Sequence, residues 1–140
     1  MNISIIRSEE ISILKEFLKG IPSIKEVNDD IIKNSVVIWK DSNIVGNISI
    51  ELYDKIGLIR YFVFRKSIKE NFLQEMINVL VLKAKDLNVN KLICIADNLD
   101  VENLFLGLYF VKLDKKVFFD ENIYTNIGFK DSSFLVYSIL

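Results

Sequence analysis

Residues 71–96 read NFLQEMINVLVLKAKDLNVNKLICIA, and this stretch decides the fold class. Leu73, Met76, Ile77, Leu80, Val81, Ala84 and Leu87 recur at helical spacing, so a helix from Asn71 to Leu87 carries one apolar stripe. Lys91 to Ala96 follows with almost no polar side chain, which suits a strand buried on both faces. Gly57 to Phe64, just upstream, is a further apolar and aromatic strand. Strand, long helix and strand with short connections make a βαβ unit, expected to be right-handed with parallel strands.

The chain upstream of this unit is a meander. Val36 to Lys40 is β-branched and aromatic, and Asp41-Ser42-Asn43 is turn chemistry. Ile44 to Tyr53 alternates, with Ile44, Gly46, Ile48, Ile50 and Leu52 facing one way and Val45, Asn47, Ser49, Glu51 and Tyr53 the other. That pattern predicts a half-buried antiparallel strand and hence a hairpin, to which Gly57–Phe64 adds a third strand. Nearer the start, Ile3 to Ile6 reads as a strand. Ser8 is placed to cap a helix whose stripe is Ile11, Leu14, Phe17 and Leu18, and Gly20 and Pro22 end it. Ser23 to Lys33 has the apolar residues for a second short helix. Downstream, a short helix from Val101 to Leu108 and strands at Phe110–Leu113 and Phe134–Leu140 are expected, separated by a polar-aromatic segment containing Phe118, Phe119, Tyr124 and Phe129.

Composition narrows the chemistry. The 140 residues suit one domain spanning 1–140, and no repeat or low-complexity tract divides them. With 18 Lys and Arg against 19 Asp and Glu, the net charge of −1 offers no field to draw in nucleic acid. Histidine is absent, which removes Ser-His-Asp and Cys-His catalysis and every His-ligated metal. The single cysteine, Cys94, has no partner for a disulfide within the chain and lies in an apolar strand, where an inert thiol is expected. No apolar run is long enough for a membrane helix, and the opening Met1-Asn2-Ile3-Ser4 lacks a signal-peptide pattern, so the expectation is a cytoplasmic protein.

The element order, an α+β arrangement with a mixed, mostly antiparallel sheet flanked by helices, resembles the GNAT N-acetyltransferase superfamily over nearly the whole chain. Ile3 to Glu10 is similar to the usual start of that family, and Val37 to Gly46 to its first hairpin. The resemblance implies that acetyl-CoA is the acyl donor and that its pantetheine arm lies where the fourth strand splays from the fifth. Phe62, Val63 and Phe64 would line that arm. In the family the fourth strand leads into Gln/Arg-x-x-Gly-x-Gly/Ala, where close backbone approach and a helix N-terminus hold the pyrophosphate. Aligned on Val63, Ile68 takes the Gln/Arg place, and Asn71 and Leu73 the glycine places. Lys69, Asn71, Phe72 and Leu73 are thus the implied phosphate-side residues. Leu73 is expected to crowd the phosphate, and Asn71 is the change a left-handed backbone tolerates best. Arg65, Lys66 and Lys69 either compensate for the lost glycines or form a solvated loop, while Glu70 adds opposing charge.

A second family signature is an Asn, a Tyr seven residues on, then Gly-Phe. Asn98 matches the Asn, which the resemblance makes a cofactor contact. Phe105 stands at the Tyr that protonates the leaving thiolate, and Leu108-Tyr109-Phe110 replaces Leu-Gly-Phe. Tyr109 offers a hydroxyl four residues later and substitutes only if the helix continues that far; otherwise it is a core or wall residue. No Asp or Glu occurs from Lys55 to Arg65, so Glu51 on the preceding strand is the nearest general base, unless it is simply solvated. Tyr53 and Tyr61 are pocket candidates on the same terms. Two functions follow. One is transfer of an acyl group from acyl-CoA to a small-molecule or peptide amine. The alternative is a catalytically inactive GNAT-fold binding protein. Neither involves nucleic acid or membrane, and either suits a monomer or a homodimer.

Overall fold

The structure is a computed structural model that describes residues 1–113 and 133–139. The elements run β1 (Asn2–Ile5), a 3-10 turn (Ser8–Glu10), α1 (Ile11–Lys19), α2 (Asp29–Ile32), β2 (Ser35–Lys40), β3 (Asn43–Tyr53), β4 (Ile56–Phe64), α3 (Glu70–Asp86), β5 (Lys91–Ala96), α4 (Leu99–Gly107), β6 (Val111–Leu113) and β7 (Ser133–Ser138). The strands form one sheet in the order β1-β2-β3-β4-β5-β7-β6. Among the described strands only β4 and β5 pair in parallel, as the βαβ reading required.

The pleat sends alternate residues into two cores. Val36 and Ile38 of β2 join Ile48, Ile50 and Leu92 beneath Leu73, Met76, Ile77, Leu80 and Ala84 of α3. Val37, between them, packs with Leu14, Leu18 and Ile32 of α1 and α2 on the opposite face. Covering both faces changes the expectation for β3. Residues 44–50 are all buried, so Asn47 and Ser49, expected on a solvated face, are fully enclosed. Their polar groups are met inside. Ser35 and Ser49 hydroxyls lie 2.6 Å apart, and the Asn47 amide donates to Ser49 Oγ at 3.1 Å.

Other expectations are adjusted locally. Ser8 does not cap α1: it lies inside the 3-10 turn, where the Glu10 carboxylate accepts from the Arg7 backbone N–H at 2.9 Å instead. Of the stretch 23–33 only Asp29–Ile32 is helical, started by the Asn28 side chain accepting from the Asp30 N–H. Phe110 belongs to the core beside Phe105 rather than to β6. Trp39 is half-buried and donates from Nε1 to Ser4 Oγ at 3.1 Å. Phe118, Phe119, Tyr124 and Phe129 lie outside the described residues.

Candidate functional site

The site is built around a change along β4. Its first three residues, Ile56, Gly57 and Leu58, pair with Lys91, Leu92 and Ile93 of β5, and there the pairing stops. Among the described residues, Ile59 to Phe64 is paired to β3 alone, while the rest of β5 stays paired to β7. The upper half of β4 therefore presents backbone N–H and C=O groups towards a gap, the kind of groups that need a partner.

A bulge accompanies the parting. Asn47 opposes Val63 and Ser49 opposes Arg60, so β4 carries one residue more than β3 across this interval. Tyr61 takes up the excess at φ 50°, a left-handed backbone uncommon for an aromatic residue. The Asn47 side chain holds it there, donating to the Tyr61 carbonyl at 2.9 Å. Asn47 Oδ1 has no hydrogen-bond partner among the described residues, a cost on the order of 1–3 kcal/mol that the clamp bears.

The two faces of β4 differ beyond this point. On the α3 and α4 face, Phe62 contacts Phe64 at 5.2 Å between ring centroids and Phe105 of α4 at 5.1 Å. Phe105 meets Phe110 edge-on at 5.0 Å, and Phe110 meets Tyr137 of β7 at 5.4 Å. A chain of rings thus runs from β4 to β7 across the gap. The opposite face packs Tyr61 and Val63 against the α1 and α2 core and carries charged groups nearer the apex. Glu51 pairs in register with Leu58, the last residue of β4 joined to β5, so its carboxylate is level with the apex of the gap. Arg60 Nη1 donates to Glu51 Oε1 at 2.6 Å, and the guanidinium lies 5.3 Å from the Tyr61 ring centroid. Burial, then the charge of Glu51 and a hydrogen bond to it, push the Tyr53 phenol up, so Tyr53 stays a donor at neutral pH.

A cleft of about 640 Å³ lies between the end of α1 and upper β4, lined by Phe17, Gly20, Ile21, Phe62, Val63, Phe64 and Arg65. It leads to the start of α3, where Arg65, Lys66, Ser67 and Lys69 are exposed. The first turn of any helix leaves N–H groups without intrahelical partners, and here they open beside these cations. The Glu70 carboxylate lies across this end. A Cβ added to Gly107 at the end of α4 would stand 3.3 Å from Glu70 Oε1.

No protein-family model matches this sequence, and no curated protein is significantly similar to it. Solved structures are similar in shape. N-acetylglutamate synthase from Neisseria gonorrhoeae, crystallised with coenzyme A and N-acetyl-glutamate, superposes at TM-score 0.76 with 14% identity over 99% of this chain. This chain spans only 35% of that one. Rv2747 from Mycobacterium tuberculosis, in complex with CoA, matches at TM-score 0.70 and 14% identity over 100% of both chains. Aminoglycoside 6'-acetyltransferase type Ii matches at TM-score 0.68 and 17% identity, over 100% of this chain and 98% of its own.

The chain has the GNAT acetyltransferase fold.

Within that fold the sequence-derived site residues separate. Phe62, Val63, Phe64, Lys69, Asn71 and Phe72 gather around upper β4 and the start of α3. Leu73 does not crowd a phosphate: its side chain is 3% exposed and packed in the α3 core, as is Ile68. Asn71 needs no left-handed backbone, because it is the second residue of α3. Asn98 caps α4, its Oδ1 accepting from the Val101 N–H at 3.0 Å. Tyr109 is not on the face of α4 that carries Phe105. The helix stops at Gly107, Tyr109 turns to φ 71°, and its side chain is 75% exposed. Glu51 is not merely solvated, since Arg60 and Tyr53 hold it. Sequence reasoning missed Asn47 and Arg60. Asn47 left a signal, a polar residue amid strand residues flanked by isoleucines and valine, but its clamp needs the bulge to be seen. Burial pushes the Cys94 thiol up, and it takes no part.

No helix among the described residues is long and apolar enough to cross a membrane.

Proposed function

We propose that this chain binds an acyl-CoA along the free edge of upper β4 and transfers the acyl group to an amine. The observation that carries the reading is the end of β4–β5 pairing at Leu58 and Ile93, which leaves those backbone groups between Ile59 and Phe64 that do not bond to β3 facing a gap. The fold similarity to proteins crystallised with coenzyme A supports the same placement. The thioester, when bound, supplies an activated acyl carbon that an amine attacks, with a C–N bond forming as the C–S bond breaks.

The chain's own residues then have these roles. Backbone groups of Phe62, Val63 and Phe64 hold the pantetheine amides. The first-turn amides of α3 at Glu70 and Asn71 face the pyrophosphate with Lys69, while those of Phe72 and Leu73 already donate to the Lys69 carbonyl and shape the turn. Asn98 fixes the start of α4, beside the gap. Glu51, at the apex and held by Arg60, takes the proton the amine loses, directly or through water. Phe105 cannot give a proton to the departing thiolate. A thiolate is a far better leaving group than an amide or alkoxide, so solvent can protonate it after it departs. Holding the two reactants in line supplies most of the rate. Tyr109, exposed at the end of α4, is left to a position at the mouth.

A second reading, a binding protein without turnover, is favoured by the contact of Phe62 with Phe105 across the gap. Calorimetric titration with CoA and acetyl-CoA tests the first reading. We expect micromolar binding of both. No heat of binding at millimolar ligand overturns it.

A further inference from the structure

Upper β4 meets three different parts of the molecule through three consecutive residues. Arg60 holds Glu51 of β3, Phe62 touches Phe105 of α4, and Tyr61 between them reaches the loop from α1 to α2. That loop, residues 20–28, supplies Gly20 and Ile21 to the wall of the cleft beside Phe62–Phe64. Its early part is tied locally, by Ile21 N–H to the Leu18 carbonyl and Ile24 N–H to the Ile21 carbonyl. Its later part packs on the sheet through Ile24 and Val27 and, among the described residues, is hydrogen-bonded to it by one group. Tyr61 Oη donates to the Glu26 carbonyl at 3.0 Å and accepts from the Asn28 N–H at 3.0 Å. Both capacities of one hydroxyl are thereby used on backbone groups two residues apart.

This arrangement depends on the bulge. A regular β4 would alternate Arg60 and Tyr61 between faces. The left-handed turn at Tyr61 instead sends its ring into the α1 and α2 core beside Val63, while Arg60 remains level with Ser49 on the same side. Strained backbone persists where surroundings over-determine it, and here the Asn47 clamp does so from β3.

We propose that Tyr61 is a positioning residue: it latches residues 24–28 onto the β4 bulge and so sets the width of the cleft between the loop and upper β4. The role assigned to the cleft rests on the acyl-CoA reading above, whereas the latch itself does not. Releasing it lets the loop move away from the strand, so ligands are held less tightly while the chemistry at the apex is unchanged.

The test is Tyr61→Phe, which keeps the ring and removes the hydroxyl. Amide hydrogen exchange is followed residue by residue. We expect the Asn28 amide of the native protein to exchange at least about tenfold more slowly than those of Lys25 and Val27, and Tyr61→Phe to abolish that difference. Turnover with acetyl-CoA should show a KM raised several-fold and kcat within about twofold, a split that a general loss of structure would not give. Unchanged Asn28 exchange in a folded Tyr61→Phe protein overturns the latch. If Tyr61→Phe fails to fold, an unprotected Asn28 amide in the native protein overturns it equally. Absence of acetyl-CoA binding by the native protein overturns the acyl-CoA reading and leaves the exchange result to decide the latch.

Discussion

The two halves of β4 are built to opposite specifications. The lower half is paired on both sides and leaves no spare volume: a Cβ added to Gly57 would stand 2.7 Å from Ile50 Cγ2 and 3.2 Å from Leu92 Cδ2. The upper half is paired on one side, bulged, and bordered by a cleft. The contrast teaches where an opening in a sheet comes from. Close packing at Gly57 fixes β4 against β5, and the bulge at Tyr61 bends β4 beyond it. The strands part between a fixed point and a bend.

Three changes would break or sharpen that comparison. The largest effect is expected at the boundary between the halves. Glu51→Gln should lower kcat by about 10²-fold or more if Glu51 accepts the amine proton, with CoA binding unaltered in calorimetry. A fall in CoA affinity instead would move Glu51 from chemistry to support. Next is Gly57→Ala in the lower half. Overpacking should cost roughly 1–3 kcal/mol in urea-induced unfolding, because the added carbon meets branched side chains from both neighbouring strands. Little loss would mean the lower half is looser than its geometry indicates.

The smallest effect concerns α4, the far wall of the gap. Glu102 accepts from the Ser133 hydroxyl and is ion-paired with Lys112, Nζ to Oε1 at 3.0 Å, and these contacts hold its carboxyl below its usual 4.5. A depressed folded value means the tie stabilises above about pH 4.5 and is lost as pH falls through the folded value. Glu102→Gln should therefore melt earlier than the native protein at pH 7, and the two melting temperatures should converge in acid. A difference that persists in acid would point to packing rather than charge.

Much of this was legible in the sequence because it rests on periodicity. The stripe from Leu73 to Leu87, the run Lys91–Ala96 and the hairpin through Asn43 each appear at or within a residue of their expected bounds. Leu73 shows what happens when a motif competes with that signal. Its place in a family pattern suggested a phosphate neighbour, yet its position on the stripe with Met76, Ile77 and Leu80 already put it in the core. The bulge was not legible. Tyr61 is not a glycine, and what holds it is a side chain fourteen residues away on β3. The end of α4 was half legible: the expected end, Leu108, lies one residue beyond Gly107, and Tyr109 could share the face of Phe105 only if the helix ran that far, which it does not. Parting of β4 from β5 left no trace either, since pairing partners are set in three dimensions and both strands are mostly apolar along their length.

The most direct test of the central claim is amide hydrogen exchange along β4 with and without CoA. Saturating CoA should slow exchange of the amides in 59–64 that are not bonded to β3 and at the start of α3, and leave Gly57 and Leu58, paired on both sides, unchanged. Protection that appears elsewhere, or nowhere, would contradict the assignment of upper β4 as the donor seat.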